Sequence, residues 1–288
     1  MPIGRGRWRT TRFAENPPTA VLRFPFTHME PHAFVAEVYR RMSARLAAER
    51  PSPSWDQIKN DAMVLQAMVQ CKALLPADKT AAILDVGFGG GWFIAACINL
   101  GYTNISGAEF GIEHKQYMKQ WSPAVVALHE IENNIGDSLV NLAKQYDFIH
   151  LSHVIEHMPK YSLLYIGDSL YSALKPEGTL LLRTPNMEGP CANSSYYVTL
   201  AHEYGFSGSN LSSLLSLCNF DDIHVFEFSP QIRSGKQLVG QLLRWPMLCW
   251  NAFRHRLFGV NFGGVFGSEL IATAKRRHRP PLLNPRYK

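Results

Sequence analysis

Glycines and carboxylates follow a short apolar run near residue 85. The run, residues 81–86, has the length and composition of a buried parallel strand, and four glycines occupy the next five positions, 87–91. Glycines let a backbone approach a ligand where any Cβ would collide. An apolar stretch, 92–100, predicts a helix whose first N–H groups are unpaired. Strand, glycine turn and helix are typical of the first unit of a nucleotide-binding α/β sheet.

The glycine spacing distinguishes between two kinds of ligand. The dinucleotide pattern G-x-G-x-x-G, laid on Gly87 and Gly89, needs glycine at 92, and Trp92 would block close helix–strand packing there. The stretch instead resembles motif I of class I S-adenosylmethionine (SAM) methyltransferases, D-x-G-x-G-x-G, matched by Asp85, Gly87, Gly89 and Gly91. The resemblance implies that these residues and Phe88 bind SAM, whose sulfonium and amino-acid head suit an acidic Asp85. A tight βα turn without a ligand is the alternative.

Two further acidic residues are candidates for the same ligand. Glu109 ends a predicted second strand, 104–109, and its two oxygens could accept both ribose hydroxyls of an adenosyl group. Class I methyltransferases have Asp or Glu at this spacing. A third strand is predicted over 123–128, and in the family an acidic residue after it holds the adenine amino group. Asp137 is that candidate, or it caps a helix over 138–144.

The segment YDFIHLSHVIEHMPK, 146–160, predicts a fourth strand followed by a turn. It resembles the ubiquinone/sugar/polyketide-type small-molecule methyltransferases, in which this segment runs along the cofactor into the substrate pocket. The resemblance implies that Ser152 and His153 contact SAM. His153, Glu156 and His157 also match the zinc-protease pattern H-x-x-E-H, but that site needs a helix, whereas here a strand precedes and Pro159 follows. A weakly held divalent ion stays open; our interpretation is that no metal binds and that the Glu156–His157 pair shapes the loop.

A fifth strand, 179–186, follows a turn at 175–178, and LKPEGTLLLRTPN again resembles the family. The loop after it, 187–206, lies where open α/β sheets bind ligands. The family segment His-x-x-x-Phe-Ser aligns with His202, Phe206 and Ser207. His202 could remove a proton from a substrate hydroxyl, because the ordinary histidine pKa lies near working pH. His153 is an equal rival, and a loop histidine bonded to backbone is the alternative role for His202.

These segments define the predicted organisation. Residues 1–54 form an extension with a helix over 34–48, and 55–288 form the methyltransferase domain. Ser54 and Gln57 resemble a capping box for a helix to about residue 75, which covers the cofactor in many relatives or else only packs. With strands at 223–228 and 267–275, the fold is a Rossmann-like α/β sheet of seven strands. It is mostly parallel, with an antiparallel last strand and helices on both faces.

Composition restricts location and partners. The five cysteines show no C-x-x-C spacing, which indicates a reducing, cytoplasmic compartment without structural zinc, and we expect no secretory peptide or membrane-spanning run. The net charge is +6, yet residues 1–12 hold four arginines and no acid, and 233–288 hold eleven Lys/Arg and one acid. Basic ends, including the tail from 275, indicate an anionic partner, membrane or nucleic acid, or merely a solvated tail.

A helical insertion at about 235–262 is rich in Trp, Phe and Leu and contains arginines, notably over 237–259. This composition suits a helix lying in a membrane interface, peripheral on the inner face, or a helical hairpin packed on its own domain or on a second copy in a homodimer. It also resembles methyltransferases of bacterial surface-polysaccharide and glycolipid pathways.

The sequence therefore predicts a SAM-dependent methyltransferase. The favoured reaction is in-line O-methylation of a small molecule or a lipid-linked glycan with a histidine base. No cysteine is placed as a methyl relay, and the Asn/Asp-Pro-Pro-aromatic motif of nitrogen methylation is missing, because Asn186 follows Pro185. RNA methylation and a SAM-binding partner subunit without activity are the alternatives.

Overall fold

The computed structural model describes residues 34, 37–38, 40–41, 53–110, 112–132, 134–143, 145–228, 235–259, 265 and 267–277. All of them belong to one compact unit, Pro31–Lys288. The predicted extension over 1–54, with its helix at 34–48, lies almost entirely outside the described residues, and so does the basic tail beyond 277. The domain boundary at 54/55 therefore stays a prediction.

The described strands form one sheet of seven in the order β3-β2-β1-β4-β5-β7-β6. Their bounds are Ile83–Val86 (β1), Ile105–Glu109 (β2), Val125–Glu130 (β3), Tyr146–Ser152 (β4), Leu174–Pro185 (β5), Asp221–Phe226 (β6) and Glu269–Lys275 (β7). β7 runs antiparallel to both β5 and β6, while the pairs from β3 through β5 are parallel. The predicted mostly parallel sheet with an antiparallel last strand is confirmed.

Burial explains the composition of the strands. Every residue of β1 and β2 is buried, as expected for central parallel strands covered on both faces. The edge strand β6 alternates between half-buried and exposed positions over most of its length. Two separate apolar clusters pack on the sheet, which confirms that helices cover both faces.

Eight α-helices surround the sheet in the described residues from 53 to 277. They are Trp55–Ile58 (α1), Ala62–Cys71 (α2), Trp92–Asn99 (α3), Ile135–Val140 (α4), Leu163–Ala173 (α5), Ala192–Tyr196 (α6), Gly208–Leu217 (α7) and Gly235–Leu257 (α8). α2 and α3 contribute to one apolar cluster, and α5 and α7 contribute to the other. The sheet is therefore the middle layer of a three-layer sandwich.

Three predicted boundaries are wrong for local reasons. The single helix expected from 54 to 75 is divided into α1 and α2, because Asp61 caps a new helix by accepting the Met63 N–H at 2.7 Å. Gln57 does accept the Ser54 N–H, at 2.8 Å, as predicted. α4 begins at Ile135 rather than 138. The turn expected at 175–178 lies within β5, where the pairing with β4 shifts register.

The insertion predicted at 235–262 contains one continuous helix, α8, of 23 residues with Pro246 inside it. Within the described part of the chain, no helix has both the length and the apolar content needed to cross a membrane.

Candidate active site

A cavity of about 1050 Å³ opens at the carboxyl ends of the central strands. β1, β2, β4 and β5 contribute Asp85, Glu109, Ser152 and Arg183 to its wall, and β7 contributes Glu269. Ligands bind in open α/β sheets at this edge. The volume lies at the upper end of the usual range for ligand clefts, so the cavity has room for a nucleotide and a second small molecule.

The glycine turn after β1 forms one wall of the cavity. Gly87, Gly89 and Gly91 have φ of 71°, 54° and 78°, a left-handed backbone that favours glycine. A Cβ on Gly87 would lie 2.3 Å from Val154 Cγ2. Gly87, Gly89 and Phe88 line the cavity. Gly91 is not among the described lining residues: it caps α3, and a Cβ there would meet Met118 at 2.9 Å, so its role is packing.

Asp85 at the end of β1 has a partner that the sequence did not indicate. His150, on the neighbouring strand β4, donates its Nδ1–H to Asp85 Oδ1 at 2.7 Å, and both side chains are buried. The His150 ring stacks on Phe93, with centroids 3.8 Å apart. Burial raises the pKa of Asp85, and the contact with His150 opposes that rise.

The Glu109 carboxylate contacts the glycine turn. Its Oε2 accepts the Gly89 N–H at 2.7 Å, and its Oε1 accepts the Phe110 N–H at 2.9 Å. Lys115 Nζ lies 3.1 Å from Oε2. A carboxylate has about four lone-pair sites, and these three donors leave one at which Glu109 can accept a hydroxyl of a ligand in the cavity.

Asp137 is separated from the other candidates. It lies in the first turn of α4, and its Oδ1 accepts the Tyr165 hydroxyl at 2.6 Å. It is absent from the described residues that line the cavity, where Ile131 and Ile135 occupy the corresponding wall. The predicted cap role is wrong, because Asn134 caps α4 by accepting the Gly136 N–H at 2.8 Å. The predicted role of Asp137 toward adenine stays a prediction.

Charged side chains form the other end of the cavity. His153 lies between two carboxylates, with Nδ1 3.2 Å from Glu156 Oε1 and Nε2 3.0 Å from Glu269 Oε1. Arg183 Nε donates to Glu269 Oε2 at 2.9 Å, and Thr184 donates to the buried Glu156 at 3.1 Å. His153 has φ 56°, a left-handed backbone uncommon outside glycine.

These contacts fix the charges at that end. Burial by itself would lower the pKa of His153, but hydrogen bonds to Glu156 and Glu269 raise it to about 9. Burial would likewise raise the pKa of Glu269, but His153 and Arg183 lower it to about 2. At neutral pH His153 is therefore a cation, and a base must first lose that proton.

His202 lies away from the cavity wall. It donates its Nδ1–H to the Tyr196 carbonyl at 2.8 Å, and its ring centroid lies 4.6 Å from that of His157. His157 donates to the Ala201 carbonyl at 2.9 Å, and burial lowers its pKa. The ligand atoms of Glu156, His157 and His202 all lie within 4.8 Å of one another, close enough to hold a metal ion. Glu156 thus lies close to His202 and also forms the hydrogen bond with His153.

The helices before β1 close the cavity from above the strands. α1 and α2, with the turn between them, contribute Gln57, Asp61, Met63, Gln66 and Gln70 to its lining. They therefore occupy the position of the predicted cofactor-covering helix, with amide side chains available to a polar ligand.

A family model described as a methyltransferase domain matches residues 21–235. The chain belongs to this methyltransferase family. Its seven-stranded sheet and glycine turn make it a class I SAM-dependent methyltransferase, an enzyme whose cofactor is SAM. No curated protein sequence matches the methyltransferase significantly.

Solved structures share the fold at low identity. A SAM-dependent methyltransferase from Archaeoglobus fulgidus is 18% identical, with a TM-score of 0.52 over 74% of this chain and 94% of that one. Phosphoethanolamine N-methyltransferase 2 from Haemonchus contortus, in complex with S-adenosyl-L-methionine, is 14% identical, with a TM-score of 0.56 over 88% and 62%. A Burkholderia thailandensis 1,6-didemethyltoxoflavin-N1-methyltransferase is 14% identical, with a TM-score of 0.52 over 87% and 92%.

The residues present fit SAM. The methyltransferase has a glycine turn on the cavity wall with no room for a Cβ at position 87, a buried carboxylate at Asp85 and an accepting carboxylate at Glu109. Sequence reasoning missed His150, Arg183 and Glu269. His150 lies in the fourth strand that the sequence predicted, but only the pairing of β1 with β4 shows that it meets Asp85.

Proposed function

We propose that the methyltransferase transfers a methyl group from SAM to a hydroxyl group of a small molecule or glycan. The observation that carries the proposal is one continuous cavity whose glycine turn and Glu109 lie at one end and whose His153, Arg183 and Glu269 lie at the other. The first end suits a nucleoside and the second a hydroxyl-rich acceptor.

Asp85, Gly87, Phe88, Gly89, Glu109 and Ser152 line the cavity and would hold SAM at the cofactor end, while His153 would contact SAM from the acceptor end. SAM supplies a methyl carbon already activated by its sulfonium. Glu109 would accept a ribose hydroxyl, and ionised Asp85, supported by His150, would face the cationic part of the cofactor. Asp137 instead contacts Tyr165, and this contact does not support a role in binding adenine.

At the acceptor end, donors and acceptors alternate. Glu269 can accept from an acceptor hydroxyl, while Arg183 and the His153 cation can donate to its oxygens. Paired charges of both signs suit a neutral polyol such as a sugar, because no net charge has to be matched. The main task of these residues is to place a hydroxyl oxygen behind the methyl group.

Two histidines remain candidates for the base. His153 lies on the cavity wall, but its raised pKa keeps it protonated at neutral pH. His202 holds its Nδ1–H on a carbonyl, which leaves Nε2 as its accepting nitrogen in the neutral ring, but it lies beside His157 rather than on the described wall. The proposal therefore favours His153, with a rate that depends on its loss of a proton.

The finer acceptor class is a lipid-linked glycan. This part of the proposal rests on α8, whose apolar side chains face outward. RNA methylation was motivated by the basic tail, most of which lies outside the described residues. Two structural neighbours are N-methyltransferases, so the test must identify the methylated atom.

The test uses purified full-length protein, SAM with a ¹³C-labelled methyl group and a panel of glycans, glycolipids and phenols. The expected result is a methyl ether, in which NMR correlates the labelled methyl group with the acceptor carbon across the ether oxygen. Label on nitrogen would overturn O-methylation. Tight SAM binding without transfer to any acceptor, RNA included, would favour the inactive partner-subunit alternative.

A further inference from the structure

We propose that α8 docks the methyltransferase on an anionic lipid surface, with its long axis along that surface. This goes beyond the methyl-transfer reaction, although it agrees with a lipid-linked acceptor. The proposal depends on which way the side chains of α8 face, on their charges and on what anchors the helix.

α8 has the reverse of the usual orientation of a surface helix. The side chains turned toward the domain are spaced as one helical face, and three of the four are polar: Arg244, Leu248, Asn251 and His255 are buried or half-buried. Large apolar side chains face outward instead: Trp245 is 69% exposed, Trp250 65% and Phe253 55%. A surface helix normally buries its apolar stripe, so this stripe requires an external apolar partner.

The positive charge of α8 indicates which apolar partner it binds. Residues 235–257 contain four Lys/Arg and no acid, and Arg254 and Arg256 are exposed beside the apolar side chains. Apolar side chains with aromatic residues and flanking cations match the interface of a bilayer that contains anionic lipid. In the described residues, no helix is long and apolar enough to span the membrane, so the mode is surface binding.

The anchor of α8 connects this surface to the active site. Arg244 forms an ion pair with Glu227, and the next residue, Phe228, lines the cavity. A membrane held by α8 would therefore lie near the acceptor end of the cavity, where Glu269 also lines the wall. A glycan carried on a lipid could reach the cavity from that membrane.

The first experiment is flotation of the full-length protein with vesicles of phosphatidylcholine containing phosphatidylglycerol. The variant Trp245→Ser/Trp250→Ser/Phe253→Ser should reduce the bound fraction at least roughly tenfold, since these side chains supply buried apolar area. The matched control Val126→Ser/Val140→Ser/Leu217→Ser changes comparably exposed apolar residues elsewhere and should bind as the unchanged protein does. Equal flotation of both variants would overturn the proposal.

Two further measurements test the role of the arginines and distinguish a lipid surface from a second copy of the chain. Arg254→Gln/Arg256→Gln should weaken binding to anionic vesicles by roughly fivefold per arginine but leave binding to pure phosphatidylcholine unchanged. Light scattering gives the oligomeric state without lipid. A dimer that the tryptophan variant converts to monomer, together with no flotation of the unchanged protein, would assign the surface to a second copy and overturn lipid docking. Flotation needs no acceptor, so its outcome is independent of methyl transfer.

Discussion

His150 Nδ1–H donates to Asp85 Oδ1 at 2.7 Å, and this pair joins adjacent strands beneath the glycine turn. Asp85 is 2% exposed, and burial raises the pKa of its carboxyl group. His150 is the largest influence in the opposite direction, because it interacts favourably with the ionised form. The stack on Phe93 fixes the ring in that position. His150 therefore favours the anionic form of Asp85 and opposes the effect of its burial.

His150→Phe should therefore weaken SAM binding by roughly tenfold to a hundredfold at pH 7, the size of a lost hydrogen bond to a charged group. The loss should grow as the pH is lowered, since the pKa of Asp85 rises further without its partner. Isothermal titration calorimetry between pH 6 and 8 measures this. His150→Asn, which retains an N–H donor, is the control and should lose less. Equal affinities for His150→Phe and the unchanged protein would disprove the role.

Gly87→Ala should abolish measurable SAM binding while leaving a folded protein. The new Cβ would meet Val154 Cγ2 at 2.3 Å, and φ of 71° costs an L-residue roughly 1–2 kcal/mol. Calorimetry measures affinity, and circular dichroism checks the fold. The double variant Gly87→Ala/Val154→Ala removes the clash but not the backbone strain, so it should recover only part of the affinity. Complete recovery would show that φ at this position is unimportant.

Local sequence pattern was enough to predict that Asp85, two of the glycines and Glu109 line one cavity. Asp85, the glycines and Glu109 follow directly from strands whose apolar runs are unambiguous, and they meet because parallel strands end at one edge. The alternative role of Asp137 as a helix cap was wrong because α4 begins at Ile135, three residues earlier than expected, under a cap from Asn134. Asp137 therefore lies inside the first turn of the helix and not at its N-cap.

The acceptor end could not be predicted in the same way. Arg183 and Glu269 lie 86 residues apart and meet only because β7 pairs antiparallel with β5. Glu269 also holds His153, across 116 residues. No local periodicity encodes such pairings. The sequence therefore predicted a histidine base with an ordinary pKa at His153. In the structure its two carboxylate partners raise that pKa and keep the ring protonated at neutral pH.

Glu109→Gln should weaken SAM binding by roughly tenfold to a hundredfold, because a neutral amide accepts less strongly than the carboxylate does. Glu109 lines the cavity and already accepts the Gly89 N–H. The matched control is Asp137→Asn, whose carboxylate contacts Tyr165 instead, and it should bind SAM as the unchanged protein does. Calorimetry compares the two. A larger loss for Asp137→Asn would restore its predicted role at the adenine.

His153 as the base makes a specific prediction for pH dependence. Its pKa is about 9, so the neutral fraction, and with it kcat, should rise roughly tenfold per pH unit below pH 9 and then level off. His153→Asn should remove this rise, and asparagine tolerates the left-handed backbone. Initial rates with the acceptor found in the labelling experiment provide the measurement. A rise that persists in His153→Asn and disappears in His202→Gln would assign the base to His202.

The His153–Glu269 pair should stabilise the fold only within a limited pH range. The pKa of His153 is raised from 6.5 to about 9, so its contribution is complete below pH 6.5 and is lost toward pH 9. The pKa of Glu269 is lowered from 4.5 to about 2, so its contribution is complete above pH 4.5 and is lost toward pH 2. Both are present between pH 4.5 and 6.5. The Tm difference between the unchanged protein and His153→Asn/Glu269→Gln should therefore be largest there.

The exposed pair Lys59–Asp56 provides the control, Lys59→Gln/Asp56→Asn, for which only a small Tm difference is expected. A Tm difference for the active-site pair that stays constant from pH 4 to 9 would contradict these protonation states.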